Sequence, residues 1–163
     1  MCRVRLRGRV LEVGRRIDAP AEEVWDVLVD TRRWPEWGPS IRRVECSDRR
    51  IRTGSAGRLW TVGGLELPFE ITTCEDRHWS WRVAGVSATG HRVERLDRGC
   101  RVVFELPVIA AGYASVCCIA LSRIAGRSSD LPFALVAHHR NPLPCSGGSS
   151  GLRGNPSTTS GSL

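Results

Sequence analysis

DTRRWPEWGPSI, residues Asp30 to Ile41, sets Trp34 and Trp37 three positions apart with Pro35 beside the first. A residue that precedes proline is pushed towards extended geometry, so a helix arriving here cannot run on. Such a helix does arrive. DAPAEEVWDVLVD (Asp18–Asp30) has Pro20 suited to a first turn and Glu22 and Glu23 at the positive end of the helix dipole. Its Ala21, Val24, Val27 and Leu28 make one apolar stripe. Ahead of it, RVLEVGRRI (Arg9–Ile17) sets Leu11, Val13 and Ile17 on one side of a strand.

Beyond Ile41 the period is that of strands. They are predicted over Ile41–Cys46, Gly57–Val62, Glu66–Glu75, Trp79–Val83, Thr89–Leu96 and Arg101–Leu106. The separators SDRR, GG, EDRH, AGVSA and LDRGC carry turn chemistry, and their shortness implies an antiparallel meander. After Pro107 the spacing turns helical again, fading near Arg123–Ala125. A single antiparallel sheet leaves one face bare, and the carboxyl-terminal helix is the available cover. Where a curved sheet wraps a helix, space remains between them. Trp34 and Trp37 then sit at the corner where the sheet curls and plug its end.

RRIDAPAEEVWDVLVDTRRWPEW, followed by PFEITTCEDRHWSWRV and GHRVERL, resembles the START-like SRPBCC superfamily, most closely its polyketide cyclase/dehydrase and lipid transport branch. The resemblance rests on the Ile-x-Ala-Pro-x-x-x-Val-Trp approach to the first helix and on Asp-x-x-x-Trp-x-x-Trp after it, and it spans about residues 10–125. It implies an α+β helix-grip fold: a seven-stranded antiparallel sheet around a carboxyl-terminal helix, two short helices after the first strand, and an apolar cavity.

The composition fits one domain of 163 residues with 41% apolar content. Net charge is +7 and every basic side chain is arginine, which reads as codon usage in a GC-rich genome. Residues 1–9 form a basic extension. With Arg15 and Arg16, its arginines are opposed only by Glu12 before the first helix. Such an arm binds phosphates or anionic membranes, or simply protects a strand edge. It has no interleaved aromatics, so nucleic acid is not an expected partner. Seven cysteines without a C-x-x-C spacing suggest reduced thiols in a cytoplasm, with Cys117 and Cys118 as small core residues. The uncharged run Leu106–Ser122 contains Pro107 and Gly112 and reads as a buried helix rather than a membrane span. From Gly126 to Leu163 the chain is rich in Gly, Ser, Thr and Pro and is expected to be a disordered tail. His138 and His139 in it lack further ligands, so no metal is expected.

No metalloprotease, serine-hydrolase or P-loop signature is present, and no cofactor is implied. The side chains placed to meet a cavity ligand are Trp60, Phe69, Trp81 and Tyr113, with Trp34 and Trp37 as rim packing or as stacking partners. Leu67, Phe69, Ile71 and Thr73 share one strand face. His91 is either a half-exposed strand histidine or an acid/base in a dry pocket. Glu70 and Arg82 form either a surface ion pair or a pair that orients a polar ligand group. Catalytic residues are otherwise unassigned and the oligomeric state stays open. Three readings follow: carriage of a small hydrophobic molecule, polyketide cyclase/dehydrase-type catalysis, and a protein-interaction module like a chaperone activator.

Overall fold

A computed structural model describes residues 1–129; His138, His139 and the Gly/Ser-rich stretch lie outside the described residues. Eight strands form one antiparallel sheet. They are β1 (Arg3–Arg7), β2 (Val10–Ile17), β3 (Ile41–Cys46), β4 (Ala56–Thr61), β5 (Glu66–Glu75), β6 (His78–Val83), β7 (Val86–Arg95) and β8 (Cys100–Pro107). Their order is β1-β2-β8-β7-β6-β5-β4-β3. Helix α1 (Ala21–Val29), a 3-10 turn (Thr31–Arg33) and α2 (Trp34–Trp37) connect β2 to β3. A 3-10 turn (Val108–Tyr113) leads into α3 (Ala114–Ser129).

The sheet has one strand more than the seven expected. Arg3–Arg7, read above as an arm, pairs along its whole length with β2, from Arg3 against Gly14 to Arg7 against Val10. Gly8, at φ 62°, provides the left-handed residue of that two-residue hairpin. Strict alternation of Arg3, Arg5 and Arg7 with Val4 and Leu6 is a strand pattern that the charge count obscured. Strand β7 likewise starts at Val86 rather than Thr89, because Ala84 and Gly85, at φ 49° and 77°, turn the chain in two residues.

A bulge falls between Ile71 and Thr73. Phe69 and Ile71 are buried as expected, but the alternation breaks there, and Thr72 and Thr73 both reach the Ser80 hydroxyl, at 2.8 and 2.7 Å. With two further register shifts, at Ile41/Arg43 and Ser80/Arg82, it bends the sheet around α3. Gly57 permits the bend. A Cβ there would meet the Glu45 carbonyl at 2.2 Å and the Phe69 ring at 2.9 Å.

The registers give the sheet two ends. The closed end carries the turns at 18–20, 47–55, 76–77 and 97–99, and the open end those at 8–9, 62–65 and 84–85 together with Val108–Tyr113. α1 and Trp34 fill the closed end; Trp34 Nε1 donates to the Leu28 carbonyl at 2.9 Å. Asp30 clamps the corner, accepting from Arg32 N–H at 3.1 Å and from Arg49 at 3.1 and 3.0 Å. Burial opposes its ionisation, but Arg49 and the Arg32 amide hold its carboxyl below the usual range. Helix α3 continues to Ser129, past the end expected near Ala125, and Arg127 pairs with Glu36 at 3.0 Å. It buries Cys117, Ala120, Leu121 and Ile124 against the sheet, whereas Ile119 is half exposed. The i, i+3, i+4, i+7 set that starts at Cys117 passes through Leu121 and leaves Ile119 on the far side. Each large side chain buried this way contributes about 1.5–3 kcal/mol.

The expectation of reduced thiols needs one correction. Cys46, Cys74, Cys100 and Cys117 are free, but Cys118 forms a disulfide with Cys2, so β1 is tied to α3. Cys117 is the core thiol, and burial raises its pKa to about 12. On the sheet's outer face Arg92 joins Glu12, Glu94 and Glu105, and Arg101 joins Glu94. Burial would raise the Glu12 pKa, yet the Arg92 hydrogen bond and charge bring it below the carboxylate norm.

Candidate ligand cavity

Between the concave face of the sheet, the segment after α2 and the start of α3 lies a cavity of about 460 Å³. That is within the roughly 300–1,000 Å³ of small-molecule sites. Trp37, Trp81, His91 and Phe104 make one wall aromatic, backed by a packed layer of Trp34, Phe69 and Trp79. Trp79 stacks on Trp34 with ring centres 5.3 Å apart, and His91 lies flat on Trp79 at 3.8 Å. Phe104 meets the His91 ring edge-on at 4.5 Å. Trp81 stands across Trp34, Phe69 and Trp79 at 5.3, 5.9 and 5.6 Å.

Polar atoms are few. Trp81 Nε1 donates to Thr89 Oγ1 at 3.2 Å, and the same hydroxyl lies 3.2 Å from His91 Nε2. The Thr89 hydroxyl, which also accepts from Trp81, can donate to or accept from Nε2 according to the imidazole tautomer. Nδ1 is buried without a protein partner, and so is Trp37 Nε1. At the mouth, Ser40 Oγ and Tyr113 Oη are 2.5 Å apart.

His91 is only 2% exposed, so the half-exposed reading does not hold. Burial, with the nearby charge of His78 adding to it, drives its pKa down to about 3. A group that weakly basic is far from the near-neutral pKa that general acid/base work favours.

Of the aromatic candidates, Trp37, Trp81 and Tyr113 line the cavity together with His91. Trp34 and Phe69 belong to the packed layer behind Trp81. Trp60 does not reach the cavity: it faces the outer side, where the Arg43 guanidinium covers its ring at 4.8 Å. Its neighbours Leu59 and Thr61 line the cavity instead, and strand alternation forbids both arrangements at once. Glu70 and Arg82 are register partners but both are exposed on the outer face, away from the cavity. Ser40, Thr89 and Ile109 are lining residues that sequence reasoning did not single out as a site. For Thr89 the signal was available, since it sits two residues before His91 on one strand face. For Ser40 it was not, because it lies in no periodic element; Ile109 lies in the run expected to be a buried helix, whose first part is instead a 3-10 turn with no buried residue.

A bent antiparallel sheet that grips its last helix around an apolar cavity defines a ligand-binding SRPBCC fold. The polyketide cyclase/dehydrase and lipid transport family model matches residues 9–115, more than half the sequence, and the chain belongs to that family. No functionally curated protein matches it. Among solved structures, a Rhodobacter sphaeroides protein is similar at TM-score 0.62 and 14% identity, covering 80% of this chain and 99% of its own. A Staphylococcus saprophyticus protein is similar at TM-score 0.60 and 17% identity, over 74% and 92% of the two chains. The Zhui aromatase/cyclase of a Streptomyces species is similar at TM-score 0.57 and 16% identity, over 74% and 93%. At these identities the likeness is one of fold.

Proposed function

We propose that the protein binds one small hydrophobic molecule, lipid- or polyketide-like, between the sheet and α3. The observation that carries this reading is the cavity itself: about 460 Å³, walled by Trp37, Trp81, Phe104 and Leu59, and open beside Tyr113. Trp37 Nε1, a buried N–H without a protein acceptor on a residue that lines the cavity, favours a ligand that carries an oxygen acceptor. Ser40 and Tyr113 would meet a second polar group at the mouth. Carriage is favoured over cyclase-type catalysis because burial holds the lining His91 neutral and weakly basic and pushes the lining Cys117 thiol up to about 12. The test is quenching of tryptophan fluorescence on titration with fatty acids, flavonoids and aromatic polyketides. Saturable quenching by one class is expected, and Trp37→Ala should weaken it. Silence across all three classes would leave the interaction-module reading in its place.

A further inference from the structure

Most of the exposed large apolar side chains gather in one place. Met1, Val4 and Ile119 are exposed elsewhere, but Leu6, Val62, Leu65, Val86, Val108 and Ile109 all lie at the open end of the sheet. Ile109 is 97% exposed, Val86 68% and Leu65 64%. The closed-end turns are different in kind: Asp18, Asp48, Arg49, Asp76, Arg77, Asp97 and Arg98.

Rigid turns hold the apolar tips out. Leu65 sits in a hairpin where Thr61 N–H donates to its carbonyl at 2.9 Å and its own N–H donates to Thr61 Oγ1 at 3.1 Å. Val86 follows the two-residue turn at Ala84–Gly85. Val86, Ile109 and Tyr113 also line the cavity, so the apolar end is its rim. Ordinary ligand enclosure explains why the cavity walls are apolar. It does not explain Val62 and Leu65, which face outwards away from the lining.

The charge beside these tips has one sign. Arg9 accepts a hydrogen bond from Val108 N–H through its carbonyl at 3.3 Å, which places it next to Ile109. Arg5 and Arg9 are exposed and make no ion pair among the described residues. The acids nearest this end are already engaged, Glu12 by Arg92 and Arg7, and Glu66 by Arg58. Uncharged apolar tips flanked by free guanidinium groups are complementary to a bilayer surface with anionic headgroups.

We propose that the open end docks on an anionic membrane surface, with the tips of the 62–65, 84–86 and 108–109 segments at the headgroup boundary and Arg5 and Arg9 on lipid phosphates. The cavity mouth then opens onto the bilayer, so a hydrophobic ligand passes between them without crossing water. Docking stands independently of what the cavity holds.

Flotation of the full chain, without added ligand, with vesicles of phosphatidylcholine and phosphatidylglycerol tests this directly. Binding is expected to the mixed vesicles, to fall with salt, and to be much weaker for phosphatidylcholine alone. Leu65→Asp should lower it about tenfold or more, the loss of one buried apolar anchor. Arg9→Gln should lower it about fivefold on anionic vesicles only. Val62→Asp repeats the first test should Leu65→Asp unfold the protein, and neither residue lines the cavity, so fluorescence titration of ligands should be unchanged. Equal binding to neutral and anionic vesicles, no loss in both aspartate variants, or a dimer that Leu65→Asp dissociates while the wild type stays off vesicles would each overturn the proposal. Vesicle binding with no ligand response would retain docking and refute the cavity reading.

Discussion

The closed end of the sheet and the cavity each take one tryptophan of the same short motif, with opposite results. At the closed end Trp34 is wholly buried, stacked between aromatic neighbours, and its N–H is satisfied by the Leu28 carbonyl. Only three residues on, Trp37 is nearly as buried, but it borders a cavity and its N–H has no protein acceptor. One tryptophan completes a packed interior; the other faces space that a ligand can fill. The motif that looked like a single structural plug divides its labour along one short helix.

Substitutions should separate the two ends. Trp34→Ala is expected to cost about 3–5 kcal/mol in urea denaturation, because nothing around the ring can collapse into its place. Trp37→Ala should cost less by about 1 kcal/mol or more, since it enlarges a space that already exists. Equal losses would erase the distinction drawn between them.

Next in size is a pH effect. The folded pKa of His91 is about 3, below its ordinary value of 6.5, so the unfolded chain binds more protons between those two values. Stability is therefore complete above pH 6.5 and declines as the pH falls towards 3. At about 1.4 kcal/mol per unit, moving from pH 6.5 to 5 should remove about 2 kcal/mol. His91→Phe should flatten that slope. The depressed carboxylates Asp30 and Glu12 act lower, below the ordinary acidic range, so the window from 6.5 to 5 reports the imidazole.

Asp30→Ala should cost about 1–2 kcal/mol by removing the cap on the turn after α1 and the Arg49 contact. Arg49 is well exposed and loses little by being left alone. The smallest effect is expected at the mouth. Tyr113→Phe should change stability by no more than about 0.5 kcal/mol, yet alter affinity for ligands with a polar outer group. A large thermal shift there would mean that the open end is structural after all.

Much of this architecture was legible before any coordinates. The change of period at Asp18 and the return to helical spacing after Pro107 report local backbone preferences and announce α1 and the last helical stretch, but the break expected at Pro35 falls at Asp30: Trp34 is itself helical and Pro35 sits in the first turn of α2. β1 was missed because its arginines dominated the reading, although Val4 and Leu6 alternate with them. The site was less legible. Trp60 and Phe69 are aromatic like Trp81, but which of them reaches the cavity depends on strand parity and on the bulge at Thr72, neither of which an aromatic count reveals. Of the two readings of His91, the half-exposed one rested on what a lone strand histidine usually does, and it is the one that burial overturns. Its burial comes from Trp79, Trp37 and Phe104, which converge on it from three different elements.

The pairing of β2 with β8, reinforced by a link between Cys2 and Cys118 across 116 positions, has a kinetic consequence. Strands β3 to β8 can zip up through successive short hairpins as they emerge from the ribosome. β1 and β2 are made first but have only each other until β8 and α3 appear, and such non-local closure is slow. Until then the Val13 face of β2 and one whole strand edge are open to other chains. Synthesis that stalls before β8 therefore yields a sticky hairpin tethered to an unclosed meander, and β8 and α3, translated long after β2, decide whether the β1–β2 hairpin stays soluble.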